Sequence, residues 1–329
     1  MESTQVSDRP TYLRSYGIAG RSLSIECSDL RFGQLLERLF GRWQLTPVSS
    51  LERTADIHAN VACGDSPPEI PPGLTCFEFA DGGQCFTDGV DLYIVYRNCL
   101  LQLQHGTPLS LRLWFEELPG PENPNLIRAT SFAVCAALRR FGLFELHAAG
   151  VVHPESNKGF LIVGPSGSGK STLALQLAMD GWPYLSDDEV LLRLSKRNVE
   201  ALGFRSVFAV NADTASALGL QPSSETSKTC FEPSAVVLSS RRAQAVPRLL
   251  LFIQFRGEPK TRLNKLTQTE AMGRLIRACP WASYDTSIAG ANLELLSRLA
   301  RQASAFDFHA GRDLLVPGCA SELLSSLSA

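Results

Sequence analysis

The stretch Gly164-Pro165-Ser166-Gly167-Ser168-Gly169-Lys170-Ser171-Thr172 constrains this chain more than any other. Its three glycines let the main chain curl so tightly that successive N–H groups face one centre. Residues 159–163, Gly-Phe-Leu-Ile-Val, predict an apolar strand that runs straight into the loop. Residues 171–179 have helical spacing, with Leu173, Leu177 and Ala178 inward and Gly181 as the stop. Strand, glycine loop and helix in that order make an anion cradle with the positive end of a helix beneath it. The pattern is G-x-x-x-x-G-K-[ST], the phosphate-binding P-loop. In it Lys170 reaches the β- and γ-phosphates of a nucleotide and the Ser171 hydroxyl ligates Mg²⁺. Gly164, Ser166, Gly167, Ser168, Gly169 and Thr172 complete the nucleotide-binding set.

The next constraint is Ser186-Asp187-Asp188. Asp187 follows Lys170 by 187 − 170 = 17 residues. That length holds one helix, one turn and a short strand, and it predicts a return on an adjacent strand to the same edge of the sheet. Two carboxylates beside a metal can divide labour, one holding Mg²⁺ and the other accepting a proton from an attacking hydroxyl. The competing reading, in which Asp187 and Asp188 are turn or capping residues, costs the chain nothing but leaves the spacing unexplained.

Around these motifs the chain divides. The run Leu118-Pro119-Gly120-Pro121-Glu122-Asn123-Pro124 is a breaker cluster and the expected domain boundary. Residues 1–118 read as a smaller mixed α+β unit: a polar opening, a helix near residues 32–43, then several strands. Among those strands are residues 75–79 and 92–96, and the Pro/Gly-rich run of residues 66–73 is a loop. Residues 125–329 read as a catalytic α/β domain. It opens with a helix over 125–141, has further strands at 190–192 and 246–255, and closes with helices near 292–303 and 319–327. Thr267 and Glu270 form a capping box that opens another helix, ended by Pro280.

Composition excludes several classes. A formal charge of −2 offers no basic surplus for nucleic acid. The most apolar region, residues 127–144, is broken by Arg128, Arg139 and Arg140, so it predicts a buried helix and no membrane span. Nine cysteines without a C-x-x-C pair predict reduced thiols and a cytoplasmic location. A transporter ATPase would need an L-S-G-G-Q type signature, and a GTPase would need N-K-x-D. The first is absent, and Asn264-Lys265-Leu266-Thr267 carries Thr where the base-reading Asp belongs.

Read together, His147-Ala148-Ala149-Gly150-Val151-Val152, the strand into GPSGSGKST, Gly181 and Leu185-Ser186-Asp187-Asp188 resemble the catalytic domain of HPr kinase/phosphorylase. The resemblance is specific over residues 146–190. It implies the phosphoenolpyruvate carboxykinase-like type of P-loop fold, and an ATP- and Mg²⁺-dependent transfer of the γ-phosphoryl to a serine-type hydroxyl. Residues 1–118 are similar to the divergent front of HPr-kinase-related proteins that act on peptides, lasso peptide kinases among them. The acceptor implied is a peptide or small protein, with no nucleic acid or membrane partner and with a homo-oligomer allowed. Carried over by position, Lys170 and the loop glycines bind the β-phosphate, and Ser171 and Asp188 hold Mg²⁺. Asp187 is the base, His147 lies near the transferred phosphate, and Arg205 and Lys228 neutralise developing charge. Thr172 departs from the family, which carries Glu there. Two other readings remain open: a small-molecule kinase on the same fold, such as one acting on free serine, and a non-catalytic ATP-binding regulator.

Overall fold

The computed structural model describes residues 12–48, 55–64, 66–79, 82–120, 123–221, 229–231 and 240–327. It is a mixed α/β protein with two large mixed sheets. Contacts divide the chain into two compact units. The first holds residues 1–41, 45–141 and 283–288; the second holds 42–44, 142–282 and 289–329.

In the first unit, nine strands form one sheet among the described residues. They are β1 (Tyr12–Ile18), β2 (Arg21–Cys27), β3 (Thr46–Pro47), β4 (Ile57–Cys63), β5 (Thr75–Glu78), β6 (Gln84–Thr87), β7 (Leu92–Tyr96), β8 (Cys99–Gln104) and β9 (Leu109–Phe115). The spatial order is β3-β1-β2-β4-β9-β8-β7-β6-β5. Helix α1 (Leu30–Phe40) starts at Asp29, whose carboxylate accepts the Arg31 N–H, and it buries Phe32, Leu36 and Leu39. Helix α2 (Pro124–Arg139) packs on β8 and β9. The sequence expectation placed it with the second unit; its contacts group it with the first. The reason is its packing on β8 and β9, and an ion-pair cluster sits at its C-terminal end. Arg139 is fully buried and Arg140 nearly so, and both pair with Asp285, which is 1% exposed. The expected buried helix is therefore held by charge as well as by apolar packing.

In the second unit the expected strand is β12 (Lys158–Val163), and the expected helix is α3 (Lys170–Met179). The other strands are β10 (Phe144–Leu146), β11 (Ala148–Val152), β13 (Tyr184–Ser186), β14 (Val190–Leu194), β15 (Val199–Gly203), β16 (Phe208–Val210), β17 (Thr229–Phe231), β18 (Gln244–Phe255), β19 (Arg262–Lys265) and β20 (Ser304–Ala310). The order is β10-β14-β15-β18-β12-β11-β13, with β20 beside β18 and β19 beside β20. Strands β12, β18 and β20 run parallel. Strand β11 runs antiparallel to both β12 and β13. Further helices are α4 (Ala212–Ala217), α5 (Gln268–Arg277), α6 (Thr286–Gln302) and α7 (Cys319–Ser326). The Thr267–Glu270 capping box opens α5 as expected.

Helix α3 closes one face of this sheet over a core of Phe160, Ile162, Leu173, Leu177, Trp182, Phe208 and Phe308. Each such side chain, once buried, contributes roughly 1.5–3 kcal/mol. That burial fixes the helix relative to the strand before it, and so fixes the loop between them. Among the described residues no helix is long and apolar enough to cross a membrane. Of the polar opening expected over residues 1–12, Tyr12 begins β1, while residues 1–11 and the expected site cation Lys228 lie outside the described residues.

Candidate phosphate site

The alternating strand directions decide what meets at one edge of the second sheet. Strand β12 ends at Val163, opposite Ala148 at the start of β11. His147 is therefore brought to the place where Gly164 begins the loop. Strand β13 runs back alongside β11, with Ser186 opposite Gly150, so Asp187 and Asp188 emerge at the same edge. The sequence expectation made β12 and β13 neighbours. The structure corrects this, because β11 lies between them. The intervening strand supplies the histidine.

The loop is shaped by close approach. A Cβ on Gly164 would lie 2.6 Å from Ser168 Oγ and 2.8 Å from the main-chain oxygen of Ile253, so no larger residue fits without moving backbone. Gly169, at φ +100°, turns the chain into α3 without a side-chain cap. The first-turn N–H groups of α3 therefore lack intrahelical partners and point into the loop.

Lys170 is 4% exposed. Its ammonium donates to Gly164 O at 2.9 Å and Pro165 O at 3.1 Å, and it lies 2.9 Å from His147 Nε2. An ammonium only donates, so Nε2 accepts and the imidazole proton sits on Nδ1. That Nδ1 faces Asp188 Oδ1 at 3.5 Å, and Lys170 Nζ is 3.9 Å from the same oxygen. Burial holds the His147 pKa below its ordinary value; Asp188 pulls it up and Lys170 pushes it down. Lys170, His147 and Asp188 thus form one charge-coupled group.

The two aspartates differ sharply. Asp187 is 1% exposed. Its Oδ2 accepts the Ala209 N–H at 3.0 Å, while Oδ1 has no hydrogen-bond partner. Burial, reinforced by the Asp188 charge, raises its pKa from 3.8 to about 6. The nearby Ser171 hydroxyl and Lys170 favour the charged form but do not offset the burial. Asp188, by contrast, is 43% exposed in its side chain and takes φ +62°, a left-handed conformation that Asp tolerates better than most residues. The Glu189 N–H donates to Asp187 O at 2.7 Å, closing a three-residue turn around Asp188.

That turn is braced from behind. Ser186 Oγ accepts the Phe204 and Arg205 N–H groups, and Gln44 Nε2 donates to Leu185 O and Arg205 O. Arg205 is bound to Glu189 at 2.7 Å and stacks over Trp43. It is therefore a brace on the aspartate turn, and the expected role in neutralising developing charge does not fit its position.

A cavity of about 410 Å³ opens in front of the loop, within the size range of small-molecule sites. Ser166, Gly167, Gly169, Lys170, Ser171, Thr172 and Asp188 line it. Of the other expected site residues, Gly164, Ser168, Asp187 and His147 are not part of its lining; Ser168 and Asp187 are buried, and the His147 side chain is 37% exposed. Thr172, the residue that departs from the family pattern, faces Thr214 on α4 at 3.3 Å. Sequence reasoning missed the rest of the lining, including Asn211, Asp213 and Thr214 around α4, Ile253 and Phe255 at the end of β18, and Leu314 beyond β20. The alternation of Phe306, Phe308 and Ala310 along β20 was a legible strand signal. The six residues of α4 carry none beyond the Asn211 cap.

No protein-family profile and no curated protein matches this chain. Among solved structures there is a weak likeness to the Hpr(Ser) kinase/phosphatase from Coxiella burnetii. The two share 17% identity with a TM-score of 0.26, over 37% of this chain and 72% of that one.

Among the described residues no three His, Cys, Asp or Glu side chains converge to hold a metal by themselves. The donors at the loop are a hydroxyl, Ser171, and the free Oδ1 of buried Asp187. These are hard oxygen donors with coordination places to spare. That suits Mg²⁺, which takes one or two protein ligands together with substrate phosphates and water.

Proposed function

We propose that the second unit is a P-loop nucleotide-binding domain, and that the protein is an ATP- and Mg²⁺-dependent kinase. It transfers the γ-phosphoryl to a serine-type hydroxyl of a peptide or small protein. The observation that carries this reading is the meeting of Lys170, His147 and Asp188 within 3.9 Å beside a cavity floored by the glycine loop. The choice of a peptide or protein acceptor rests on the sequence resemblance.

In this reading the nucleotide phosphates lie on the N–H groups of the loop and of the first turn of α3. Lys170 exchanges its two carbonyl partners for phosphate oxygens, a favourable trade for a buried ammonium. Ser171 and Asp187 are the residues that would hold Mg²⁺, and the ion supplies charge neutralisation on the β- and γ-phosphates. Burial thus exchanges the two roles expected from sequence. Asp187 has no open path to an acceptor, whereas Asp188 lines the cavity. Asp188 takes the proton of the acceptor hydroxyl as the O–P bond forms and the bond to the leaving ADP oxygen breaks. His147, neutral and protonated on Nδ1, orients the Asp188 carboxylate.

The test is thermal denaturation with and without MgATP, followed by ³²P transfer from γ-labelled ATP to serine-containing peptides. MgATP at about 100 times its Kd should stabilise the wild type by about 2.7 kcal/mol, and Lys170→Ala should abolish both stabilisation and transfer. Wild-type protein that MgATP neither stabilises nor phosphorylates through would overturn the assignment. Stabilisation without transfer to any acceptor would leave an ATP-binding regulator.

A further inference from the structure

A second concavity lies in the same unit, away from the phosphate loop. It has a volume of about 450 Å³ and is open to solvent, and three segments line it. Arg197 comes from the β14–β15 hairpin, Arg248 from the early part of β18, and Arg298 and Arg301 from the end of α6. Its one carboxylate, Glu294, is engaged by Arg298 at 2.6 Å. Arg197, Arg248 and Arg301 are exposed and have no hydrogen-bond or ion-pair partner among the described residues. For a chain of net charge −2, three unpaired guanidinium groups in one groove are a marked local excess.

The groove is also built. Gln302 accepts the Val199 N–H at 2.7 Å, and it donates to Val199 O at 2.9 Å and to Pro247 O at 2.8 Å. One side chain thereby ties the hairpin, the strand and the helix end that carry the arginines. Arg248 and Arg301 stand on regular secondary structure and Arg197 on the short turn between β14 and β15, so little of their backbone order must be supplied on binding.

We propose that this groove docks an acidic polypeptide segment, its Asp and Glu carboxylates taken by Arg197, Arg248 and Arg301. Guanidinium groups pair with carboxylates through two parallel hydrogen bonds, which gives direction as well as charge. The lining has no aromatic side chain on which a base could stack. The chain as a whole offers no long-range attraction to a phosphate polymer. Both facts favour polypeptide over nucleic acid. Arg248 and cavity-lining Ile253 are five residues apart on β18, about 16 Å of strand, so a segment held here leaves the phosphate loop free. The proposal does not depend on the kinase reading, because docking needs no nucleotide.

Anisotropy of a fluorescein-labelled hexaglutamate, titrated with the full chain in about 50 mM salt, tests it. Expected are saturable binding, loss of most of it as salt approaches about 0.5 M, and no displacement by MgATP. Arg248→Glu with Arg301→Glu should weaken binding about tenfold or more, and the milder Arg248→Gln with Arg301→Gln by a smaller factor. These side chains are exposed, and circular dichroism confirms that the fold is kept. No binding by the wild type, equal binding by both double variants, or displacement by MgATP would overturn the proposal. So would displacement by an oligouridylate of equal charge at lower concentration than by unlabelled peptide.

Discussion

Replacing Asp187 by Asn should change how stability depends on pH, by an amount the structure allows one to work out. The carboxyl pKa rises from 3.8 to about 6 on folding because the group is buried. The folded state therefore binds its proton more tightly than the unfolded state, and stability from this group is complete below pH 3.8. It is lost as pH rises through about 6. The full loss is (6 − 3.8) × 1.36, or about 3 kcal/mol, and roughly 2 kcal/mol of it falls between pH 4.5 and 8. Asn cannot ionise, so Asp187→Asn should lack that decline. The amide introduces its own cost, because a buried site shaped around a carboxylate with an unpartnered Oδ1 must take an N–H group instead. That cost is independent of pH and cancels when each protein is compared with itself. Urea unfolding followed by tryptophan fluorescence is the assay, since Trp43, Trp182 and Trp281 all belong to the second unit. Between pH 4.5 and 8 the wild type should lose about 2 kcal/mol more than the variant. Parallel pH dependences, agreeing within about 0.5 kcal/mol, would show that Asp187 is not held as a buried carboxylate. MgATP should restore the lost stability of the wild type at pH 8 and do so less for the variant.

Three further outcomes follow from single contacts. Gly164→Ala places a methyl against Ser168 Oγ and the main chain of Ile253, so affinity for MgATP in calorimetry should fall about tenfold or more, the strain displacing the loop. Asp188→Asn should keep MgATP binding and lower single-turnover transfer at least about a hundredfold, the usual contribution of a positioned base; unchanged transfer would return the base role to Asp187. Asp285→Ala strips buried Arg139 of its carboxylate and should cost about 3–5 kcal/mol in urea unfolding, read by Trp114 in the first unit.

The parts of this fold that were legible in the sequence are those where local chemistry alone fixes the outcome. The glycine loop, the α5 capping box and the apolar run of β12 each specify their conformation within a few residues, and each stands where the sequence reading placed it. Boundaries that depend on partners far along the chain were not legible. The breaker cluster at residues 118–124 suggested that α2 opens the second unit, yet the helix packs on β8 and β9 of the first, and its Arg139 and Arg140 meet a carboxylate 146 and 145 residues away. No local pattern announces a contact of such range. Strands β1 and β2 pair antiparallel across the tight Ala19-Gly20 turn, a local signal the sequence reading passed over, whereas the sheet they join was hidden because pairing of β2 with β4 and of β4 with β9 is parallel and has no hairpin turn to mark it.

The aspartate pair shows the same limit at the scale of the site. Sequence fixes that Asp187 and Asp188 are adjacent, but adjacent residues on an extended chain point to opposite sides, and which side is buried depends on what covers it. Here β16 covers one side and supplies the Ala209 N–H to Asp187, while the positive φ of Asp188 turns its carboxylate toward His147 and Lys170. Burial then raises the proton affinity of Asp187. A buried carboxyl with one oxygen left unpartnered gains most from a divalent cation, whereas the carboxyl at the cavity wall is the one an acceptor hydroxyl can reach. The division of labour proposed for the pair is thus a consequence of which strand lies over it.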